Sequence, residues 1–138
     1  MVVDNLMASG RIASTGMYAQ GKRLRVIAEN MANADSVSKI AGGRPYQRKL
    51  VLFKDMVDRK TGLHVVNASR TVRDPTEFRL KFEPNHPAAD NRGYVAYPNV
   101  NMLVEMSDMR EAQRSYEANL NVITTAKDMM AKTIDILK

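Results

Sequence analysis

Cysteine and tryptophan are absent from the 138-residue chain, and only 6% of its residues are aromatic. Without cysteine there is no disulfide framework, no thiolate nucleophile and no cysteine-based zinc or iron–sulfur site. Long apolar runs are also missing: the longest, residues 50–53, is far short of the roughly 20 residues that cross a bilayer. Since the N-terminus has neither a basic leader nor an apolar h-region, we expect no cleaved signal peptide and no membrane span.

Proline is missing from both ends of the chain, and all five prolines lie between positions 45 and 98. Because proline costs about 3 kcal/mol inside a helix, residues 1–35 and 99–138 are free to form long helices. The middle, residues 36–98, carries twelve basic and six acidic side chains, which accounts for the net charge of +6. We predict an α+β protein with an N-terminal helix over 1–35, a small antiparallel β insertion over 36–98 and a C-terminal helix over 99–138.

Finer predictions concern the insertion and the start of the second helix. Phe78, Leu80 and Phe82 alternate with polar residues, which predicts a strand over residues 77–83. Residues 84–85 and 91–93 indicate turns. Either Asn99 or Asn101 is able to cap the start of the C-terminal helix.

Apolar residues recur at intervals of three and four in both terminal segments, which is the period of a coiled-coil seam. We therefore expect the two helices to pair as a coiled-coil-like hairpin, with Gly10, Ala13 and Gly16 allowing close backbone approach. The methionines in this stripe are compatible with an intramolecular core or with an adaptable surface that packs against non-identical neighbours. The candidate contact residues of the stripe are Leu24, Ile27, Met31, Met106, Met109, Tyr116, Leu120, Ile123 and Met130.

Catalytic chemistry has little support in the sequence. The two histidines, His64 and His86, stand in a strand-like run and a turn without further ligands at metal spacing. The acidic pair Glu105 and Asp108 has the spacing of solvated acids on a helix. We expect a non-enzymatic protein with no catalytic residues, cofactor, metal or small-molecule substrate.

The basic middle segment leaves one alternative open, a basic coiled-coil protein that binds nucleic acid. Lysines and arginines interleaved with aromatics such as Tyr46 and Phe53 are able to combine phosphate contacts with stacking. Against this, acids are interspersed and no basic run is longer than two residues. A β surface that is solvated or faces other proteins is favoured.

Residues 28–36, AENMANADS, are similar to the motif ANNxANxxT of the axial proteins of the bacterial flagellum, the family of rod and hook subunits. Glu29 and Ser36 are departures from this motif. Residues 86–101, HPAADNRGYVAYPNVN, resemble the HPxAdxxGYVxxPNVN stretch of proximal-rod members. Residues 114–119, RSYEAN, with TAK at 125–127, resemble the motif of the family's C-terminal helix.

The resemblance implies a structural subunit of the proximal rod that transmits torque and encloses the export channel. Implied partners are copies of itself, other rod proteins and the type III export apparatus, with no nucleic acid. The implied location is the periplasmic rod of the basal body. The motif asparagines Asn30, Asn33 and Asn119 join the candidate assembly interface; the amides of the first two either cap backbone groups or bond to a neighbour. The motif link contributes His86, Pro87, Gly93, Tyr94, Pro98, Asn99 and Asn101.

Overall fold

Two long helices pack along each other and carry four short strands between them in the chain. The computed structural model describes the backbone of residues 2–136 and the side chains of residues 4–136. The elements are α1 (Val2–Ala32), β1 (Lys49–Val57), β2 (His64–Arg73), β3 (Arg79–Phe82), β4 (Tyr94–Tyr97) and α2 (Met102–Ile136). Both strand pairs, β1–β2 and β3–β4, are antiparallel. The predicted helical pair with a small antiparallel β region is confirmed.

Small residues bring the two helices close together. A Cβ atom added to Gly16 in α1 would lie 3.0 Å from the side-chain nitrogen of Asn119 in α2. Ala13 of α1 and Ala112 of α2 are almost completely buried. A bulky side chain at these positions would push the helices apart, so the contact selects short residues.

The stripe of α2 that faces α1 differs from the predicted one. Met106 and Leu120 are both 42% exposed, so they are not core residues within this chain, and their contact with a neighbouring subunit stays a prediction. Met109, Tyr116, Ile123 and Met130 are half-buried, in keeping with the predicted seam. The other half of the contact stripe recurs every seven residues, at Glu105, Ala112, Asn119 and Ala126. The apolar period had selected Met106 and Leu120 as contact residues. Near Gly16, however, the two helices lie so close together that only compact side chains fit between them.

The β1–β2 ribbon is held against α1 through β2 and also at its hairpin turn, where the guanidinium of Arg11 in α1 lies 3.7 Å from the Asp58 carboxylate. Val65 and Ala68 of β2 are buried, and the ammonium group of Lys22 in α1 donates to the Ala68 carbonyl at 2.9 Å. Towards the hairpin turn, Phe53 and Val57 remain exposed. Since a two-stranded ribbon is marginally stable alone, these contacts with α1 hold it in place.

Only one strand of the β3–β4 pair, β3, was predicted from the sequence. The alternation of Phe78, Leu80 and Phe82 predicted β3, but Leu80 and Phe82 are mostly exposed within this chain. The partner strand β4 lies inside the motif link, where the sequence indicated only turns and a family match. The turn between the strands needs a left-handed residue, which Gly93 supplies at φ +82°.

Replacing Gly93 with alanine should lower the free energy of unfolding by about 1–3 kcal/mol, because alanine is strained at this φ. The added Cβ would also lie 2.9 Å from the ring of Phe82. The matched control is Gly10→Ala in α1, where a Cβ meets nothing within 4 Å and stability should rise by about 0.5–1 kcal/mol. Urea unfolding followed by circular dichroism measures both, and equal effects of the two variants would contradict the assignment.

Candidate assembly interface and the polar junction behind it

Asn30 connects α1 to both of the elements beside it. Its side-chain nitrogen donates to the Lys49 carbonyl at 2.8 Å and to a Glu105 carboxylate oxygen at 3.1 Å. Its side-chain oxygen accepts from the Lys49 amide and from the Tyr46 hydroxyl, each at 2.9 Å. Asn30 is only 1% exposed. The amide is therefore satisfied inside the chain, and its role is to hold α1, β1 and α2 together.

Asn33 has a local role at the end of α1. Its side-chain nitrogen donates to the Glu29 carbonyl at 2.9 Å, and its side-chain oxygen accepts from the Ser36 hydroxyl at 3.1 Å. The first bond gives a second donor to a carbonyl that also accepts from the Asn33 backbone amide at 3.2 Å, and the second ties the turn after α1 back to the end of the helix. Of the two roles that the sequence allowed for this amide, local capping is the one present in the chain.

Arg48 gathers three carboxylates beside Asn30. Its Nε donates to Glu105 at 2.5 Å, while its two terminal nitrogens reach Asp74 at 3.2 Å and Asp108 at 3.4 Å. The planar guanidinium offers several donors at fixed angles, so one side chain is able to bind several carboxylates. We call this cluster the polar junction; it consists of Asn30, Tyr46, Arg48, Asp74, Asn99 and Glu105.

Glu105 is the buried charge around which the polar junction is built. Its side chain is completely buried, so treating it as a solvated helical acid was wrong. A buried carboxylate is costly unless it is paired and hydrogen-bonded, and Arg48 and Asn30 supply both. One signal for this burial was in the sequence: Glu105 starts the seven-residue series that continues through Ala112. Nothing local identified Arg48 as its partner.

The ionisable groups of the polar junction have shifted pKa values. Burial, followed by the charges of Glu29 and Glu105, raises the pKa of Tyr46 to about 12. The pKa of Asp74 is lowered, chiefly by the hydrogen bond from the Thr76 amide and further by Arg48, against the opposing effect of burial. Burial tends to lower the pKa of Arg48, but the bonds and charges of Glu105 and Asp74 raise it overall. The pKa shifts of Asp74 and Arg48 favour their charged forms, whereas the pKa shift of Tyr46 favours its neutral hydroxyl.

The motif link joins β4 to α2 and closes the polar junction. The Asn99 side-chain oxygen accepts from the Arg48 amide at 2.8 Å, and its nitrogen donates to the Asp74 carbonyl at 3.3 Å and the Thr76 hydroxyl at 2.8 Å. Asn101 accepts from the Leu103 amide at 3.0 Å and so caps α2, one of the two caps that the sequence allowed.

The remaining link residues shape the turns that precede α2. The His86 Nδ1 accepts from the Ala88 amide at 3.0 Å, which makes it the turn histidine that was expected. Pro98 is fully buried, whereas Pro87 is exposed. The ring of Tyr94 meets Phe82 edge-on at 5.3 Å. These contacts are internal, so the link positions α2 from within the chain.

Apolar side chains remain uncovered on α2 away from its contact with α1. Met106 and Leu120 lie on one flank of the helix. Val122 and Met129 lie on another flank, at 44% and 51% exposure. A helix that is apolar beyond one stripe is typical of a helix with more than one packing partner. Of the candidate apolar contact residues on α1, Ile27 is buried and Leu24 and Met31 are half-buried.

Two kinds of feature, a membrane-spanning helix and a metal-binding cluster, are absent from the described residues. In the part of the chain that the structure describes, no helix is long and apolar enough to cross a membrane. Over the same residues, no group of three or more histidine or acidic side chains is arranged to hold a metal ion.

Comparisons with known proteins show which family this chain is similar to. Residues 91–136 match the family described as flagellar basal body rod FlgEFG protein C-terminal. The chain is 46% identical over 136 residues to the flagellar basal-body rod protein FlgC of Agrobacterium fabrum, covering 99% of this chain and 98% of that protein. It is 42% identical to the Salmonella typhimurium FlgC over 91% of this chain and 92% of that protein. For the Borreliella burgdorferi FlgC the identity is 38%, over 96% and 98% of the two chains. Because the similarity extends over nearly the full length of these relatives, the chain belongs to the FlgC family of flagellar basal-body rod proteins.

Proposed function

We propose that this protein is a structural subunit of the proximal rod, which polymerises with copies of itself and with other rod proteins. In this role it transmits torque and encloses the export channel, and it performs no chemistry. The observation that carries the proposal is its near-full-length similarity to the FlgC of Agrobacterium fabrum. The uncovered apolar flanks of α2 supply the surface that polymerisation requires.

The polar junction suits a part that transmits torque. At 1.5 Å per residue, the 35 residues of α2 span about 52 Å, and a helix pair of this length bends unless it is braced. Arg48 and Asn30 tie α2 to α1 and β1 near its N-terminal end. Load applied to the ribbon therefore passes into both helices through short, charged hydrogen bonds.

The candidate interface residues divide into two groups by burial. Met106 and Leu120 are exposed and able to contact a neighbouring subunit directly. The others are half-buried or buried and support the helix surface from beneath. This second group comprises Leu24, Ile27, Asn30, Met31, Asn33, Met109, Tyr116, Asn119, Ile123 and Met130.

The location follows from the same proposal. A proximal-rod subunit occupies the periplasmic part of the basal body, and we infer that it arrives through the flagellar type III export apparatus without a cleaved signal peptide. Family membership supports the basal-body location.

The nucleic-acid alternative is supported by net charge alone. Two of the basic residues on which it depended have other uses, since Arg48 binds Glu105 and Lys49 pairs with Glu29. The structural role accounts for these ion pairs and for the uncovered apolar flanks together, so we favour it.

A cysteine-protection experiment tests the proposal, because the chain has no cysteine of its own. Leu120→Cys should react rapidly with a maleimide in the purified monomer and be protected in isolated basal bodies. The control, Ala112→Cys, lies on the same helix but is fully buried and should be protected in both states. Absence of the chain from basal bodies, or equal labelling of Leu120→Cys in both states, would contradict the proposal.

A further inference from the structure

A groove lined by basic side chains lies between the C-terminal half of α1, the start of β1 and the end of β2. It consists of two hollows of about 360 and 450 Å³, which share Glu29, Lys49 and Arg73 in their walls. The only acidic residue in these walls is Glu29. We call this feature the basic groove and define it by Lys22, Arg25, Arg44, Lys49 and Arg73.

Three of the five basic side chains are free to bind a partner. Lys22 donates to the Ala68 carbonyl, and Lys49 pairs with Glu29. Arg25, Arg44 and Arg73 are exposed, and within the described part of the chain none of them forms a side-chain hydrogen bond or an ion pair. Because the one acidic side chain of the walls is already paired with Lys49, these three guanidinium groups carry positive charges that no carboxylate in the described part of the chain pairs with.

Apolar side chains lie beside these charges. Val26 of α1 is buried in the floor of one hollow, with half-buried Val72 next to it. Half-buried Phe78 lines the other hollow. The groove therefore combines free guanidinium groups with an apolar floor along one direction. This combination fits an extended peptide whose carboxylates alternate with small apolar residues.

We propose that the basic groove binds an acidic segment of a different protein, with carboxylates on Arg25, Arg44 and Arg73. The inference relies on the proposed function for its setting, since the partner would be another component of the same assembly. It goes beyond that function by assigning a partner chemistry to a surface that α1 and the basic middle segment form together.

A second copy of this chain does not fit the groove. Each copy has a net charge of +6, and no two acidic residues are adjacent anywhere in the sequence. Several of its carboxylates are already in ion pairs, including Asp74, Glu105 and Asp108. Charge complementarity therefore selects a partner richer in acidic residues than this chain.

Single-stranded nucleic acid fits less well than an acidic peptide. Binding of that kind uses exposed aromatic rings on which bases stack. Of the rings beside the groove, Tyr46 has the Lys49 ammonium over its face at 5.8 Å and donates its hydroxyl to Asn30. Phe78 is half-buried. The groove offers charge without a stacking platform.

The test uses the purified full-length chain and a labelled eight-residue peptide of alternating glutamate and valine, titrated at physiological salt. We expect this peptide to bind at least tenfold more tightly than the same peptide with glutamine in place of glutamate. Arg25→Gln/Arg73→Gln should weaken binding at least tenfold. Since both arginines are exposed and unpaired, circular dichroism should show that this variant retains its helices.

The matched control removes the same charge elsewhere. Arg59→Gln/Lys60→Gln, at the turn between β1 and β2, should change binding less than twofold. If both double variants weaken peptide binding equally, the binding depends on net charge alone and the proposed groove is overturned. Equal binding of the glutamine peptide, or no binding of the glutamate peptide at millimolar concentration, would also overturn it.

Three further outcomes are decisive. Tighter binding of oligo-dT than of the acidic peptide, lost in Arg25→Gln/Arg73→Gln, would assign the groove to nucleic acid and overturn the proposal. If the acidic peptide does not bind but Leu120→Cys is protected in basal bodies, the groove proposal is overturned and the proposed structural function stands. If the acidic peptide binds as expected but the chain is absent from basal bodies, the proposed function fails and the groove remains.

Discussion

Replacing Arg48 with methionine should lower the free energy of unfolding by about 3–5 kcal/mol, the usual cost of removing one partner of a buried ion pair. The Glu105 carboxylate is completely buried and would lose Arg48, the one countercharge within hydrogen-bond distance of it among the residues that the structure describes. Asn30 would still donate to it, but one neutral amide does not balance a buried charge. Urea unfolding of the purified chain, followed by circular dichroism, measures the loss.

Two further variants separate this pair from a general effect of losing an arginine. Arg48→Met/Glu105→Gln should be more stable than Arg48→Met, because glutamine removes the unpaired charge and its oxygen is still able to accept from Asn30. Arg70→Met, at an exposed arginine outside any ion pair in the described chain, should change stability by less than about 0.5 kcal/mol. A double variant less stable than Arg48→Met would show that the charge of Glu105 is not what costs the energy.

Cells whose only copy of this protein carries Leu120→Asp should be non-motile. Leu120 is 42% exposed in the isolated chain, so the folded subunit should lose no more than about 0.5 kcal/mol of stability. In a polymer the same position would bury a carboxylate without a partner, which costs several kcal/mol at each subunit contact. The defect should therefore appear in assembly, as basal bodies without a complete rod, while the purified variant unfolds at nearly the same urea concentration.

The control for this variant lies at the same position. Leu120→Met keeps the side chain apolar and close to its original volume, so these cells should swim and assemble rods. Electron microscopy of isolated basal bodies and swimming in soft agar measure both. Normal swimming by the Leu120→Asp cells would show that this flank of α2 faces water in the rod.

The sequence alone was sufficient to predict the elements whose causes are local. Proline confined to the middle segment leaves both ends free to be helical, and α1 and α2 lie there. The alternation around Leu80 predicted β3, and Asn101 was one of two candidate caps for α2. Each of these features depends on residues within one or two turns of each other, so the sequence pattern contains the physical cause.

Only the tertiary structure decided which stripe of α2 meets α1. Periodicity measures how apolar a stripe is, and it favoured the one through Met106 and Leu120. The helices instead approach so closely at Gly16 that the compact series through Ala112 and Asn119 forms the contact. Steric fit depends on the facing helix, which no pattern within α2 describes.

The polar junction was beyond local prediction for the same reason. Asn30, Arg48 and Glu105 come from α1, from the residue before β1 and from α2, and they are far apart along the chain. Glu105 has the appearance of an ordinary helical acid until folding removes its water and brings a guanidinium to it. The sequence determined the helices and the insertion between them; the fold determined which charge is buried and what neutralises it, because desolvation and pairing exist only once distant segments are in contact.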